Sequence, residues 1–477
     1  MKVDKPESKA RIFIYEFVWT EALIKHIIQV CAEKNIDISG WAVRKKDLAR
    51  LQGVWPDAPV YDAPLPSDSS LTNHKLDLLS GFSFEEEENI RFLLDRERGY
   101  QNNMHSSQAR YEVLAWAETV LELSKPDWLL FPDVPHNVFT YLLYLCGKRR
   151  GLKCLMIRRD LAPHLFTLGE TVERSAPALL PKIQTPELSQ RTAEYLKALR
   201  HGNEVAPTYM LKQRRNSKPL QIVKRSLAKG FDLFTKKSLG AFLTHTKRRK
   251  LKQFYESVCE PNLDTTSGKP YIALFLHLQP ERSTIPEGGI FAQQWLIAQM
   301  LSAVCSAVGW NLYIKEHPST FLTGPKLYRG KWFYTGLKKL PNVSLVSTSI
   351  NSVSVLKNAK AIATVTGTVG IEAIAKGIPA LLFGESPYIG CAGAFRIKSQ
   401  SDLNTAIESI KQGVEISFDD VERFFSAWER NENCHNTGLP RIADHSKLWA
   451  EGVPQTAMFS KMAHVIQNES LHHKPIR

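Results

Sequence analysis

TVTGTVGIEAIAKGIPALLFG, residues 364–384, decides the fold of this chain. It reads as a strand end, a turn of small residues, a helix beginning at Thr368 or Val369, and a second buried strand over 379–383. Amides of a Gly/Thr turn that opens a helix point outward without partners, and the helix dipole adds partial positive charge. That combination holds phosphate. Thr366 and Thr368 add hydroxyls, while Gly367 and Gly370 allow close backbone approach. Thr368 serves equally as a plain helix N-cap, which is compatible with phosphate binding. Glu372, one turn on in a mostly apolar helix, either pairs with a neighbour or accepts from ribose hydroxyls.

About fifty residues upstream, LYIKEHPST (312–320) delivers Lys315 and His317 from the end of a strand at 311–315. Open α/β sheets place ligands at that end of their strands. Pro318 disfavours the helical conformation at His317 and keeps the segment a loop. A third element, HLQPERSTIPEGG (277–289), follows a strand at 271–276 and carries Gln279, Glu281 and Arg282. Glu281 is the leading candidate for a catalytic carboxylate there, the alternative being a solvated surface loop. In the amino-terminal half, FPDVPHN (131–137) sets Asp133 and His136 just after a strand. They can act as a base or bind acceptor hydroxyls, or Asp133 can simply cap the next helix.

Around these motifs strands and helices alternate twice. The first series runs from a strand at 11–15 to a strand at 153–157, the second from 271–276 to 380–383. Such alternation implies parallel sheets with helices on both faces, here two Rossmann-like domains with a cleft between them. We expect an acceptor domain over 1–200, a basic helical insertion or linker over 201–265, and a nucleotide-donor domain over 266–405. A helical segment over 406–477 is expected to pack back on the first domain.

Composition narrows the class. At 477 residues, 43% hydrophobic and 23% charged, the chain is long enough for two ordinary domains. No apolar run of about eighteen residues suggests a membrane span. The charged amino terminus lacks the apolar core of a signal peptide, so export is not expected. Seven scattered cysteines without CxxC spacing fit a reduced, cytoplasmic protein with no structural zinc. The net charge is +14, and residues 212–252 hold fourteen Lys or Arg against the single acid Asp232. That stretch is either a solvated linker or a patch for an anionic membrane surface, since apolar residues recur in it at roughly helical spacing. Nucleic acid is not an expected partner, because no recognisable binding module is present.

The series HLQPERSTIPEGGIFAQQ, LYIKEHPS, LPNVSLV and ATVTGTVGIEAIAKGIPALLFG resembles the capsule polysaccharide biosynthesis family, which includes bacterial transferases that move Kdo from its CMP-activated form. The likeness is strong over about 271–388 and looser over 131–155. It implies a GT-B architecture with the donor held mainly by the second domain. By position, His317 and Pro318 match the family's HP motif, expected at the donor phosphate. Thr366, Gly367 and Thr368 match its small-residue turn, with Glu372 in the same helix. Kdo-transferring members carry a Gln followed by a carboxylate before the HP motif; Gln279 and Glu281 stand in a similar place, with Glu where those members have Asp.

The expected function is therefore a cytoplasmic glycosyltransferase, peripheral to the inner face of the membrane. Its expected partners are a nucleotide-sugar and a lipid-linked or polymeric saccharide acceptor. His317, Lys315 and the 366–368 turn would stabilise the leaving phosphate, with Glu281 or Asp133 as base or nucleophile and His136 toward the acceptor. No metal is demanded, because no acidic DxD-like pair lies near the motifs, and no cofactor beyond the donor is expected. Transfer of glycerol phosphate from a CDP-activated donor and a non-catalytic membrane-associated scaffold stay open as alternatives.

Overall fold

The structure, a computed structural model, describes residues 9–63, 81–98, 103–159, 162–201, 236–260, 269–279, 281–322, 328–437 and 451–472. The chain divides into two compact units, Met1–Arg174 with Glu429–Arg477, and Ser175–Trp428. Each is an α/β unit built on one sheet.

The first unit holds β1 (Ala10–Tyr15), β2 (Ile36–Arg44), β3 (Val60–Ala63), β4 (Trp128–Phe131), β5 (Lys153–Arg159), β6 (Leu165–Gly169) and β13 (Cys434–Asn436). They lie in the order β13-β6-β5-β4-β1-β2-β3. β4 is buried along its whole length and β1 over its last four residues, as helix-covered parallel strands require. Helix Glu21–Glu33 buries Leu23, Ile24, Ile27, Val30 and Cys31, one stripe at helical spacing, and starts where the Thr20 side chain accepts from the Leu23 amide. Helix Val453–His472 packs on it, with His26 2.8 Å from Ser460 and Phe17 edge-on to Phe459.

Two strands depart from an all-parallel sheet: β6 pairs antiparallel with β5, and β13 antiparallel with β6. The link from Arg159 to Leu165 is too short for a parallel crossover, which needs about a dozen residues or more, so the chain turns back beside β5.

The second unit holds β7 (Tyr271–Phe275), β8 (Asn311–Lys315), β9 (Val343–Val346), β10 (Ala361–Thr364), β11 (Ala380–Leu382) and β12 (Ala394–Arg396), in the order β12-β11-β10-β7-β8-β9. Every pair is parallel. Numbered along the chain this is 6-5-4-1-2-3, the doubly wound Rossmann order, and its direction reverses between β7 and β10. Ligand crevices in such sheets open at that reversal, beyond the carboxyl ends of the strands.

The boundaries differ from the expected ones. Residues 175–200, assigned to the first domain, lie in the second unit. There helix Gln190–His201 meets helix Val369–Ile374, and Lys376 donates to the Leu199 carbonyl at 2.7 Å. Helix Lys236–Val258, expected in a linker, places Leu251 and Tyr255 in the core beneath β7 and β8. Helices Gln400–Gln412 and Phe418–Glu429 belong to the second unit except at the last residue, and only the remainder of the carboxyl-terminal segment joins the first. Of the basic stretch 212–252, residues 212–235 lie outside the described residues. Of its described part, Lys247, Arg249, Lys250 and Lys252 are exposed.

Candidate functional site

At the reversal point of the second sheet stands a residue the motifs did not single out, His277. It leaves the end of β7 and spans to β10, its Nε2 2.8 Å from Thr364 Oγ1. The Thr366 amide donates to the same nitrogen at 3.3 Å, and the Gly367 amide donates to Thr364 Oγ1 at 3.2 Å. Burial above all, then the neighbouring His317 and Arg329, push its pKa down to about 3. The ring is neutral at physiological pH.

A stability consequence follows with a definite sign. An unfolded histidine takes its proton near 6.5, whereas this one resists to about 3. Between those values the unfolded chain binds the extra proton, so stability falls as pH falls through that window and is untouched above it. The loss is on the order of a few kcal/mol. Urea unfolding at about pH 7 and about pH 4.5 checks it, because His277→Gln should flatten this part of the slope.

The turn itself departs from the expected open nest. The Thr366 and Gly367 amides are taken by His277 and Thr364, and Thr366 Oγ1 donates to the Ser283 carbonyl at 2.9 Å. Thr368 makes no capping bond; its hydroxyl lies 3.2 Å from Glu372 Oε1. Helix Val369–Ile374 is short, so its dipole is small. The glycines serve packing: a Cβ on Gly367 would stand 2.7 Å from Thr364 Oγ1, and one on Gly370 would stand 2.0 Å from the Tyr388 hydroxyl. That hydroxyl donates to the Gly367 carbonyl. Gly370→Ala should therefore cost about 1–3 kcal/mol by overpacking, measured by chemical unfolding, and Tyr388→Phe in the same chain should recover part of it.

On the other side of β7, the loop after β8 hangs on a buried ion pair. Glu316 accepts from Arg329 at 2.6 and 2.9 Å, from Tyr334 at 2.8 Å, from Thr320 at 3.1 Å and from the His317 amide at 2.7 Å. Arg329 also donates to the His277 carbonyl at 2.9 Å and to Gln279 Oε1 at 3.4 Å, joining two loops. His317 caps the 3-10 turn Pro318–Phe321, its Nδ1 accepting from the Ser319 amide at 3.2 Å. In the neutral ring the proton then sits on Nε2.

Lys315, expected at the donor phosphate, is buried and gives its ammonium to the Ser347 and Ile350 carbonyls at 2.9 and 2.7 Å. Two carbonyls satisfy a buried cation well, and their effect is to anchor the turn after β9.

Gln279 is held on both sides, donating to the Ala292 carbonyl and accepting from Arg329. Glu281 is half-buried on the same loop, and desolvation raises its pKa against the lowering by Ser283 and Arg282.

Asp133 and His136 follow β4 in the first unit. Asp133 accepts from the Val134 amide at 2.8 Å and pairs with Arg159 at 2.9 Å. Asn137, with Thr140 in a reciprocal capping box, starts the helix, so Asp133 is not its cap. His136 donates from Nδ1 to the Val134 carbonyl at 2.7 Å.

Among the described residues no group of three or more His, Cys, Asp or Glu is arranged to hold a metal. No described helix is long and apolar enough to cross a membrane.

One protein-family profile, described as capsule polysaccharide biosynthesis protein, matches residues 245–395. No curated protein matches the chain. Similar solved structures include UDP-GlcNAc 2-epimerase from Neisseria meningitidis bound to UDP-GlcNAc, 15% identical over 94% of this chain and 100% of that one, TM-score 0.22. Another is the beta Kdo 2,7 transferase of Thermosulfurimonas dismutans KpsC, 11% identical over 80% of this chain and 97% of that one, TM-score 0.30. A third is the beta Kdo 2,4 transferase of the same KpsC, at 13% identity, 63% and 78% coverage and TM-score 0.25. The matched residues 245–395 hold β7 to β11 and the whole cluster around His277 and His317, so it is this part of the chain that is similar to the capsule polysaccharide biosynthesis protein family.

Proposed function

We propose that this protein is a glycosyltransferase of surface-polysaccharide synthesis, taking a nucleotide-activated sugar whose phosphate docks at the reversal point of the second sheet. One observation supports this above the rest. Loops from β7, β8 and β10 meet where a doubly wound sheet opens its crevice, and they bring His277, His317 and the 366–368 turn together. The anion would meet the Thr368 and Val369 amides, the next in line after the two that are occupied, together with the Nε2 side of His317. Stabilising the charge that grows on a leaving phosphate is commonly the largest catalytic contribution.

Glu281 is the better proton carrier of the two carboxylates, because burial raises its pKa whereas Asp133 is held by Arg159. Pro318 and Gln279 shape the pocket, and Glu372 with Thr368 faces the ribose. Asp133 and His136 stay with the acceptor. The order of Gln279 and Glu281 resembles that of Kdo-transferring members, so a CMP-activated sugar is the first donor to try.

The acceptor, lipid-linked or polymeric, would be met at an anionic membrane face through residues 212–252. Replacing Lys247, Arg249, Lys250 and Lys252 by Gln should release the protein from vesicles containing anionic lipid in a sedimentation assay, and unchanged binding removes the membrane from the proposal. A thermal-shift screen against CMP-, UDP-, GDP- and CDP-linked compounds tests the main reading. A true donor at 100 times its Kd should add about 2.7 kcal/mol of stability, and silence across all four classes sinks it.

A further inference from the structure

The bonds around His277 settle which of its nitrogens carries the proton. The Thr366 amide can only donate, so Nε2, 3.3 Å away, presents a lone pair to it. Thr364 Oγ1 already accepts from the Gly367 amide, so its own hydrogen is available to point at Nε2 from 2.8 Å. Both directions agree: the ring is the Nδ1–H tautomer. Protonating Nε2 as well would set one N–H against another, so the cationic form is excluded by contact as well as by burial. Nδ1 has no partner among the described residues, and the residue keeps 8% of its surface open.

We infer that His277 gives its Nδ1–H to a phosphate oxygen of the nucleotide donor. This rests on the transferase reading above. The side chain is fixed through Nε2 to the very turn that opens the Val369–Ile374 helix, so its second nitrogen is a preset donor at the reversal point. Its backbone carbonyl and amide are held as well, by Arg329 at 2.9 Å and by Gln294 at 2.7 Å. Lys315 is committed to carbonyls and Arg329 to Glu316, which leaves the site short of uncommitted cations. A rigid neutral donor suits a place where a bound anion must leave after each turnover. A sugar hydroxyl would fit the same N–H. Comparing nucleotides with nucleosides separates phosphate from every other part of the donor.

Calorimetric titration of the full chain with CMP, UDP, GDP and CDP, and with the matching nucleosides, tests this. Two variants divide the ring's two roles. In His277→Gln the amide oxygen can reach the place of Nε2 and accept from Thr366, but nothing stands at Nδ1. In His277→Asn the amide nitrogen stands near Nδ1, and the hold on the turn is lost. The nucleotide that binds the native protein should bind His277→Gln about tenfold or more weakly, with nucleoside affinity unchanged. His277→Asn should keep more of the nucleotide preference than His277→Gln.

Native-like nucleotide affinity in His277→Gln overturns the inference and leaves the transferase reading standing. Equal losses of nucleotide and nucleoside also overturn it. If no nucleotide binds the native protein, both fall. Should His277→Gln fail to fold, the native protein labelled with 15N-histidine decides. Movement of the His277 Nδ1 signal with nucleotide but not nucleoside supports the contact, and an unmoved signal removes it.

Discussion

Arg329→Met should lower the unfolding free energy by about 3–5 kcal/mol, the largest single-residue effect expected in this protein. The Glu316 side chain is 0% exposed and that of Arg329 3%. Without the guanidinium, the carboxylate stays buried with only the Tyr334 and Thr320 hydroxyls and the His317 amide around it, none of which carries charge. Desolvation is then uncompensated. The double variant Glu316→Leu with Arg329→Met should recover much of the loss, since an apolar pair of similar volume often balances a buried ion pair. The proposed sugar transfer should not return, because Arg329 also carries the His277 carbonyl and Gln279. Urea unfolding of the three variants, with sugar transfer measured beside it, checks both halves. An Arg329→Met protein within about 0.5 kcal/mol of native stability would show that the pair does not hold these loops.

On the transferase reading proposed above, His317→Asn is expected to reduce kcat about 10²–10³-fold while leaving stability within about 0.5 kcal/mol of native. The asparagine oxygen can take the Ser319 amide now accepted by Nδ1 at 3.2 Å, so the 3-10 turn keeps its cap. What goes is the Nε2 side of the ring, the part proposed to face the leaving phosphate. His317→Ala removes both and should cost about 1 kcal/mol of stability in addition. Kinetics of transfer, with melting as the control, separates the two contributions. A His317→Asn enzyme with native kcat removes His317 from the chemistry.

Much of this architecture is legible in the chain. The strands at 128–131, 311–315 and 343–346 stand where short, largely apolar runs and the turn residues around them put them. In buried parallel strands both faces are covered, so a continuous apolar run is itself the signal. β3, β6, β12 and β13 were not legible, since short strands at or next to a sheet's edge owe their existence to a neighbour's unpaired backbone more than to their own pattern. HPST, the Gln279–Glu281 loop and the Gly/Thr turn could be named as candidate site elements because small, charged and imidazole residues gather just after strands.

Sequence alone determined that strands and helices alternate over residues 271–383, and with that a parallel sheet covered on both faces, because local periodicity and turn chemistry act over a few residues. Tertiary structure alone decided which side chains face the reversal point and which are tied up inside. Lys315 reads as a ligand cation until the turn after β9 supplies carbonyls to it. His277 reads as a strand-end residue until β10 arrives beside β7 and its Nε2 meets Thr364 and Thr366. Those partners lie between about thirty and ninety residues away. A hydrogen bond at that separation is set by the order of strands in the sheet, which no local pattern encodes.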